Sequence, residues 1–256
     1  MGSFETLRYE VADGVGRLTL NRPDRMNGMT NLMVREAREA LAAASDDSSL
    51  RVLVLTGEGR SFCPGADLNH ISSGERDVAL TAEDFHVTTL LHDLPAVTVA
   101  AVNGACAGAG LGWALACDVR VAAASAKFNT AFLDVAVAGD MGGPWTLTHL
   151  VGASKARELY FLPGKFDAAE AQRIGLVARV FPDETFRADA DAVVARFAGR
   201  SPTALRYMKA NFLAAERMGL RDFVQLEAER HLHIASGPHA REAFRAFIEK
   251  RPPTFS

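Results

Sequence analysis

The stretch VTVAAVNGACAGAGLGWALACD, Val97 to Asp118, opens with a β-branched apolar run that predicts a buried strand over Val97–Val102. Asn103-Gly104 breaks that run, and small residues follow: Ala105, Ala107, Gly108, Ala109, Gly110 and Gly112. From about Gly110 onward, Leu111, Trp113, Ala114, Leu115 and Ala116 suit a buried helix. A turn with such small side chains lets a ligand come close to the main chain. A helix that starts there has first N–H groups without a partner inside the helix. The stretch therefore predicts a binding place for an oxyanion or a phosphate.

Two other readings compete for the same glycines. Gly108-x-Gly110-x-Gly112 after a strand is close to a dinucleotide-binding turn, but the spacing is not G-x-G-x-x-G. The next strand-like run, Val119 to Ala124, also ends in Ser125 and Ala126, where that motif wants an acidic residue. The plainer alternative is that the glycines only let a helix pack closely on a sheet.

At 256 residues the chain can bury a full core, as one large domain or one domain with an appendage. The formal net charge is −3 and no long basic run occurs, so nucleic acid is not an expected partner. No apolar run is long enough to cross a bilayer, and no basic-then-apolar segment opens the chain. A soluble, unexported, cytoplasmic protein with no membrane partner is the expectation. Cys63, Cys106 and Cys117 are odd in number and lack metal-ligand spacing, which suits free thiols in a reducing compartment.

Strand-like runs alternate with helical stretches in the first part of the chain. Val15–Leu20 reads as a strand ending in the turn Asn21-Arg22-Pro23-Asp24. Asn31–Ala44 reads as a helix with Leu32, Ala37 and Leu41 inward, and Arg51–Leu55 as a second buried strand. A polar, mobile loop is expected over Ser72–Arg76, then a helix to about Leu94, which Pro95 ends. This alternation predicts an α/β architecture. Pro144 suits the first turn of a helix that Gly152 ends, Ser154 suits the cap of the next, and Asp167 with Glu170 resembles a capping box. Leu176–Phe181 reads as the last strand, followed by three helices: Pro202–Arg217, Leu220–Ser236 and Pro238–Lys250. A core over residues 1–196 and a helical appendage over 197–256 are expected.

A second stretch carries chemistry. In Ser61-Phe-Cys-Pro-Gly-Ala-Asp-Leu68 a Pro-Gly turn opens a helix, and Ala66 lies where a second backbone N–H can face the first turn. Two convergent N–H groups make an oxyanion hole, often the largest single catalytic contribution. Asp67 suits a helix cap better than an acid. Cys63, without a paired histidine in sequence reach, reads as a small buried thiol.

Four segments, in order and spanning nearly the whole chain, resemble the crotonase superfamily, also called the enoyl-CoA hydratase/isomerase family. They are Leu20–Asn27 (LNRPDRMN), Gly59–Leu68 (GRSFCPGADL), Ala100–Gly104 through Cys117-Asp118, and Glu249–Pro253 (EKRPP). The resemblance implies a crotonase-like spiral of ββα units with a C-terminal helical trimerisation region. It implies an acyl-CoA thioester as substrate, its carbonyl oxygen held by the N–H groups of Ala66 and Ala109. It also implies that Arg25, Met26, Gly28, Gly65, Asp67, Leu68, Gly108 and Phe132 border the CoA or acyl part. Lys250 is implied to reach a phosphate, in the same or a neighbouring subunit. No cofactor is expected beyond the CoA of the substrate, and no metal; a homotrimer or a dimer of trimers is expected.

The departures from the family pattern bear most on activity. Family hydratases carry two glutamates that hold and activate water, and the matching positions here are Gly112 and Phe132. Without a carboxylate at either, water has no base and the α-carbon no acid. Val135–Gly143 (VAVAGDMGG) resembles the segment in which several family isomerases carry a catalytic aspartate, and Asp140 matches it. The alternative is that Asp140 caps the helix beginning at Pro144, or its turn. Apolar sequence neighbours (Phe132, Val137, Met141, Trp145) would raise its pKa if they surround it. Asp134 reads as structural. His231-x-His233 do not share a helix face, and His70, His86, His92, His149 and His239 read as scattered surface or capping residues. Expected first is a shift of a 3-enoyl-CoA double bond to the 2-position. Another acyl-CoA reaction on the same hole (hydration, hydrolysis, decarboxylation) comes second, and CoA-ester binding without catalysis third.

Overall fold

The computed structural model describes residues 4–74 and 77–255. The expected Ser72–Arg76 loop is only partly within them. Ser72 and Ser73 are helical and Gly74 ends that helix, while Glu75 and Arg76 lie outside the described residues.

The chain opens with an antiparallel pair, β1 (Leu7–Ala12) and β2 (Val15–Leu20), followed by α1 (Asn31–Asp46). Then the chain winds. β3 (Val52–Gly57) and β4 (Ser61–Cys63) lead to α2 (Leu68–Ser73) and α3 (Val87–Asp93). β5 (Val97–Val102) and β6 (Ala105–Ala107) lead to α4 (Gly108–Ala116). β7 (Val119–Ala123) and β8 (Lys127–Asn129) lead to α5 (Gly143–Val151) and α6 (Ala153–Phe161). Each turn gives one strand to a large sheet and one to a small sheet. β9 (Phe166–Asp167), α7 (Ala168–Arg173) and β10 (Arg179–Phe181) finish the sheets, ordered β1-β2-β3-β5-β7-β10 and β4-β6-β8-β9. From β2 to β10 the large sheet is parallel. This is the expected spiral of ββα units.

A parallel sheet covered on both faces needs apolar residues at every position, and Val97–Val102 is buried throughout. Leu18, Leu53, Leu55, Ala100 and Val102 meet α1, α3 and α4 on one face. Val52, Val54, Val99, Ala101 and Val121 meet α8 (Phe186–Ala198) on the other. That helix is a correction: four helices, not three, follow the last strand. Its inner stripe, Phe186, Ala190 and Val194, is mostly small and set among charges, which hides the periodicity. Residues 196 and 197 fall in its last turn, so the 196/197 line cuts an element that covers the sheet. α9 (Pro202–Ala215), α10 (Leu220–Ala235) and α11 (Pro238–Ile248) complete the chain.

Smaller corrections follow from packing. Leu32 is only half-buried; the inner face of α1 is Met33, Ala37, Ala40, Leu41 and Ala44. Ser154 lies inside α6, whose N-cap is Gly152, and the last strand starts at Arg179 rather than Leu176. Asp167 does cap α7, accepting the Glu170 N–H at 2.9 Å. No described helix is long and apolar enough to cross a membrane.

Candidate active site

Because β4, β6 and β8 run parallel, the turns that leave them gather at one edge of the small sheet. Two of these turns touch. A Cβ built on Gly108 would lie 3.6 Å from the Gly65 Cα, and one built on Gly65 would lie 3.1 Å from the Ala107 carbonyl oxygen. Gly65 also holds φ at +101°, a conformation that side chains disfavour. The next residue on each turn is the expected donor, Ala66 or Ala109.

Local hydrogen bonding leaves both donors unused. The Met29 N–H donates to the Gly65 carbonyl at 2.8 Å, and the Asp67 N–H donates to the Met29 carbonyl at 2.9 Å. In such a parallel bridge the bonds use the groups on either side of Ala66, so its own N–H points away from Met29. α4 starts at Gly108, two residues earlier than expected, which puts Ala109 in its first turn. Its N-cap, Ala107, supplies no capping side chain. No hydrogen bond between described residues uses the Ala66 or Ala109 N–H. Two free donors on touching turns can hold a carbonyl oxygen as it gains charge.

Asp140 lies in the loop before α5. One carboxyl oxygen, Oδ1, is buried and has no hydrogen-bond partner. The N-cap of α5 is Gly142 and no side chain caps that helix, so the helix-capping reading of Asp140 fails. Burial pushes its carboxyl above the ordinary aspartate value. The surroundings differ from those expected: Val137 and Trp145 are half exposed, and Trp145 instead packs between His92 and His149. Those two histidines are therefore clustered rather than scattered. Phe132 and Met141 are buried as expected, and Tyr160, with no local sequence signal, is the further neighbour.

Phe132 connects the two halves of the site. Its ring lies 4.0 Å from a Cβ built on Gly108 and 3.7 Å from one built on Gly139. Gly112 has no room for a side chain at all, since a Cβ there would lie 2.6 Å from the Met141 Cβ. Met141 is itself fixed: Trp113 Nε1 donates to its sulfur at 3.2 Å and Thr88 Oγ1 to its carbonyl at 3.0 Å. Both positions that match hydratase glutamates are thus filled by apolar packing.

Of the expected CoA-side residues, Arg25, Met26, Gly28, Gly65, Asp67 and Leu68 lie together beside Ala66. A Cβ on Gly28 would lie 3.1 Å from the Asp67 Cβ, and Arg25 is close enough to act on the Asp67 charge. Met26 takes a left-handed turn between them, and Leu68 is exposed at the start of α2. Asp67 caps α2 through the His70 N–H at 3.0 Å and pairs with Arg22 Nη1 at 2.9 Å. Burial alone would raise its carboxyl, but the His70 N–H and Arg22 outweigh that and hold it low. Arg22 is the residue that sequence reasoning passed over as part of a turn. Lys250 is exposed beyond α11, and no hydrogen bond or ion pair between described residues joins it to this cluster. Cys63 is fully buried and its thiol is pushed up to about 12 by burial, which suits packing and not nucleophilic attack.

Known proteins resemble this chain over nearly its whole length. The family described as Enoyl-CoA hydratase/isomerase matches residues 10–256. The 1,2-epoxyphenylacetyl-CoA isomerase of Escherichia coli is 36% identical over 262 residues, covering 99% of each chain. The 2,3-dehydroadipyl-CoA hydratase of the same organism is 33% identical over 240 residues, covering 93% of each. The crystal structure of enoyl-CoA hydratase from Bacillus anthracis superposes with a TM-score of 0.90 at 27% identity, over 98% of this chain and 99% of that one. The chain belongs to the enoyl-CoA hydratase/isomerase family, the crotonase superfamily.

Proposed function

We propose that this protein shifts the double bond of a 3-enoyl-CoA to the 2-position, with Asp140 as the only base. The Asp140 carboxylate takes a proton from C2. The C–H electrons pass into a dienolate whose oxygen is held by the Ala66 and Ala109 N–H groups. The protonated Asp140 then returns the proton to C4, and the carbonyl reforms. The single observation carrying this reading is the buried, unpartnered Oδ1 of Asp140, linked through Phe132 to the turn bearing Ala109. Relatives are named both hydratase and isomerase; Gly112 and Phe132 favour the isomerase here, because neither supplies an acid or base. The reaction draws on no cofactor beyond the CoA of its substrate, and on no metal. The cytoplasm, where acyl-CoA thioesters are made and used, is the proposed location.

The test is isomerisation of a 3-enoyl-CoA in D2O, with deuterium expected at C2 or C4 as the 2-enoyl product forms. With crotonyl-CoA, hydration is expected to be about two or more orders of magnitude below that of a two-glutamate relative. Vigorous hydration that survives loss of the Asp140 carboxylate would overturn the reading.

We also propose that copies of this chain are its partners, as a trimer or a pair of trimers. The C-terminal helices leave Met208, Phe212, Phe244 and Phe247 exposed, the last at 85%. Leu213, Phe223 and Leu226 are half-buried, whereas Leu205 is already packed against the cluster that the large sheet and α8 share. So much apolar surface on one appendage suits subunit contact. Light scattering at micromolar concentration should report at least three chains; a monomer would refute this.

A further inference from the structure

We propose that Tyr160 is a positioning residue for Asp140: its ring, laid across Gly139 and Gly143 and parallel to Phe132, fixes the loop that carries the carboxylate and closes one side of it to water. Gly139 and Gly143 flank Asp140, and Tyr160 reaches both from α6. Its Cε1 lies 3.6 Å from a Cβ built on Gly139, and its Oη only 1.9 Å from one built on Gly143. A side chain at position 143 would collide with the Tyr160 hydroxyl, whereas at position 139 the ring is at ordinary contact distance and it is the φ of +107° that favours glycine. The ring is stacked on Phe132 with centroids 6.2 Å apart and planes within 3°. The next residue, Met141, is seated on Gly112 and hydrogen-bonded by Trp113 and Thr88. The loop that carries Asp140 is thus held by the Tyr160 ring at its glycines and by α3 and α4 at Met141.

No hydrogen bond between described residues joins Tyr160 to Asp140, so the effect runs through packing and exclusion of water. The ionisable groups on the surrounding elements turn elsewhere. α4 has none, and His149 on α5 bonds the Trp145 carbonyl. On α6, Lys155 pairs with Glu158, and Arg157 lies on an exposed face. On α3, His92 pairs with Glu216 and Asp93 with Arg217. Tyr160 itself is raised by burial and further by the Asp140 charge.

This inference rests on Asp140 being the base, and its test separates the two. Tyr160→Phe and Tyr160→Ala are compared by kcat and KM on a 3-enoyl-CoA and by NMR titration of the Asp140 carboxyl. Tyr160→Phe keeps the ring and should stay within about threefold of the parent in kcat, with the same titration midpoint. Tyr160→Ala should lose roughly ten- to a hundredfold in kcat with little change in KM, the scale expected of a misplaced reacting group. Its Asp140 midpoint should fall toward the ordinary aspartate range. If Tyr160→Ala unfolds, Tyr160→Leu takes its place with the same expectation. Unchanged kcat and midpoint in the alanine or leucine variant would overturn the proposal, as would an equal loss in Tyr160→Phe. The NMR midpoint is independent of activity, so it still decides the role of Tyr160 if Asp140→Asn proves fully active and the base assignment falls.

Discussion

Asp140→Asn is expected to slow isomerisation by roughly two to four orders of magnitude, the usual worth of a positioned base. The donors at Ala66 and Ala109 are main chain and survive the change, so acyl-CoA affinity should hold and deuterium exchange should fall in step with turnover. The parent enzyme should also show a distinctive acid limb. A base works ionised, and burial raises the carboxyl of Asp140, so the rate should climb with pH through a midpoint above the ordinary aspartate value. Stability has the opposite sign. A carboxyl whose folded pKa is raised binds its proton more tightly in the native state, so the stability it lends is complete below the unfolded pKa and is lost as pH rises through the folded one. Above its raised pKa the charged Asp140 is therefore a cost, and there Asp140→Asn should melt higher than the parent. An asparagine variant with undiminished turnover would exclude Asp140 as the base.

Asp118→Ala should cost about 1–3 kcal/mol of stability, the range for stranding a buried polar group, since Lys209 is buried while the Asp118 side chain keeps 31% of its surface in water. Lys209, on α9, is 4% exposed. Its ammonium donates to Asp118 Oδ2 at 2.8 Å and to the Ala96 carbonyl at 3.1 Å. The same carboxylate oxygen accepts the Thr98 N–H at 2.7 Å and the Thr98 hydroxyl at 3.0 Å. Without Asp118 the ammonium stays buried with one carbonyl, and Thr98 loses its acceptor. Adding Lys209→Met to Asp118→Ala should recover part of the loss, because an apolar side chain can replace the stranded charge. Urea melts of the two variants check this; equal midpoints for both would show that the buried charge is not the cause.

The core of the fold was legible because its signals are local. The run Val97–Val102 is apolar throughout for a physical reason, burial of both sheet faces, and the small residues after it mark turns that pack backbone on backbone. The small turn around Ala66 was legible for the same reason, whereas Ala109 as its fellow donor came from the resemblance to the family; both remain proposed donors. What escaped was set by tertiary contact. The helix Phe186–Ala198 covers the sheet with alanines, so its stripe barely stands out from its charged residues. Val137 and Trp145 are neighbours of Asp140 in sequence only, while Tyr160 reaches it from another helix. Arg22 reads as a turn residue until Asp67 is placed opposite it.

Met141 occupying the space over Gly112 constrains how this lineage can change. A glutamate at position 112 would meet the Met141 Cβ first and then its carbonyl oxygen, so one substitution cannot place a carboxylate there without moving the loop. Moving the loop displaces Asp140, which adjoins Met141, so that step would also disturb the proposed base. A second glutamate at Phe132 would break the stack with Tyr160 at the same time. A two-glutamate site in this fold therefore asks for coordinated change at positions 112, 132 and 141, and no single substitution builds it.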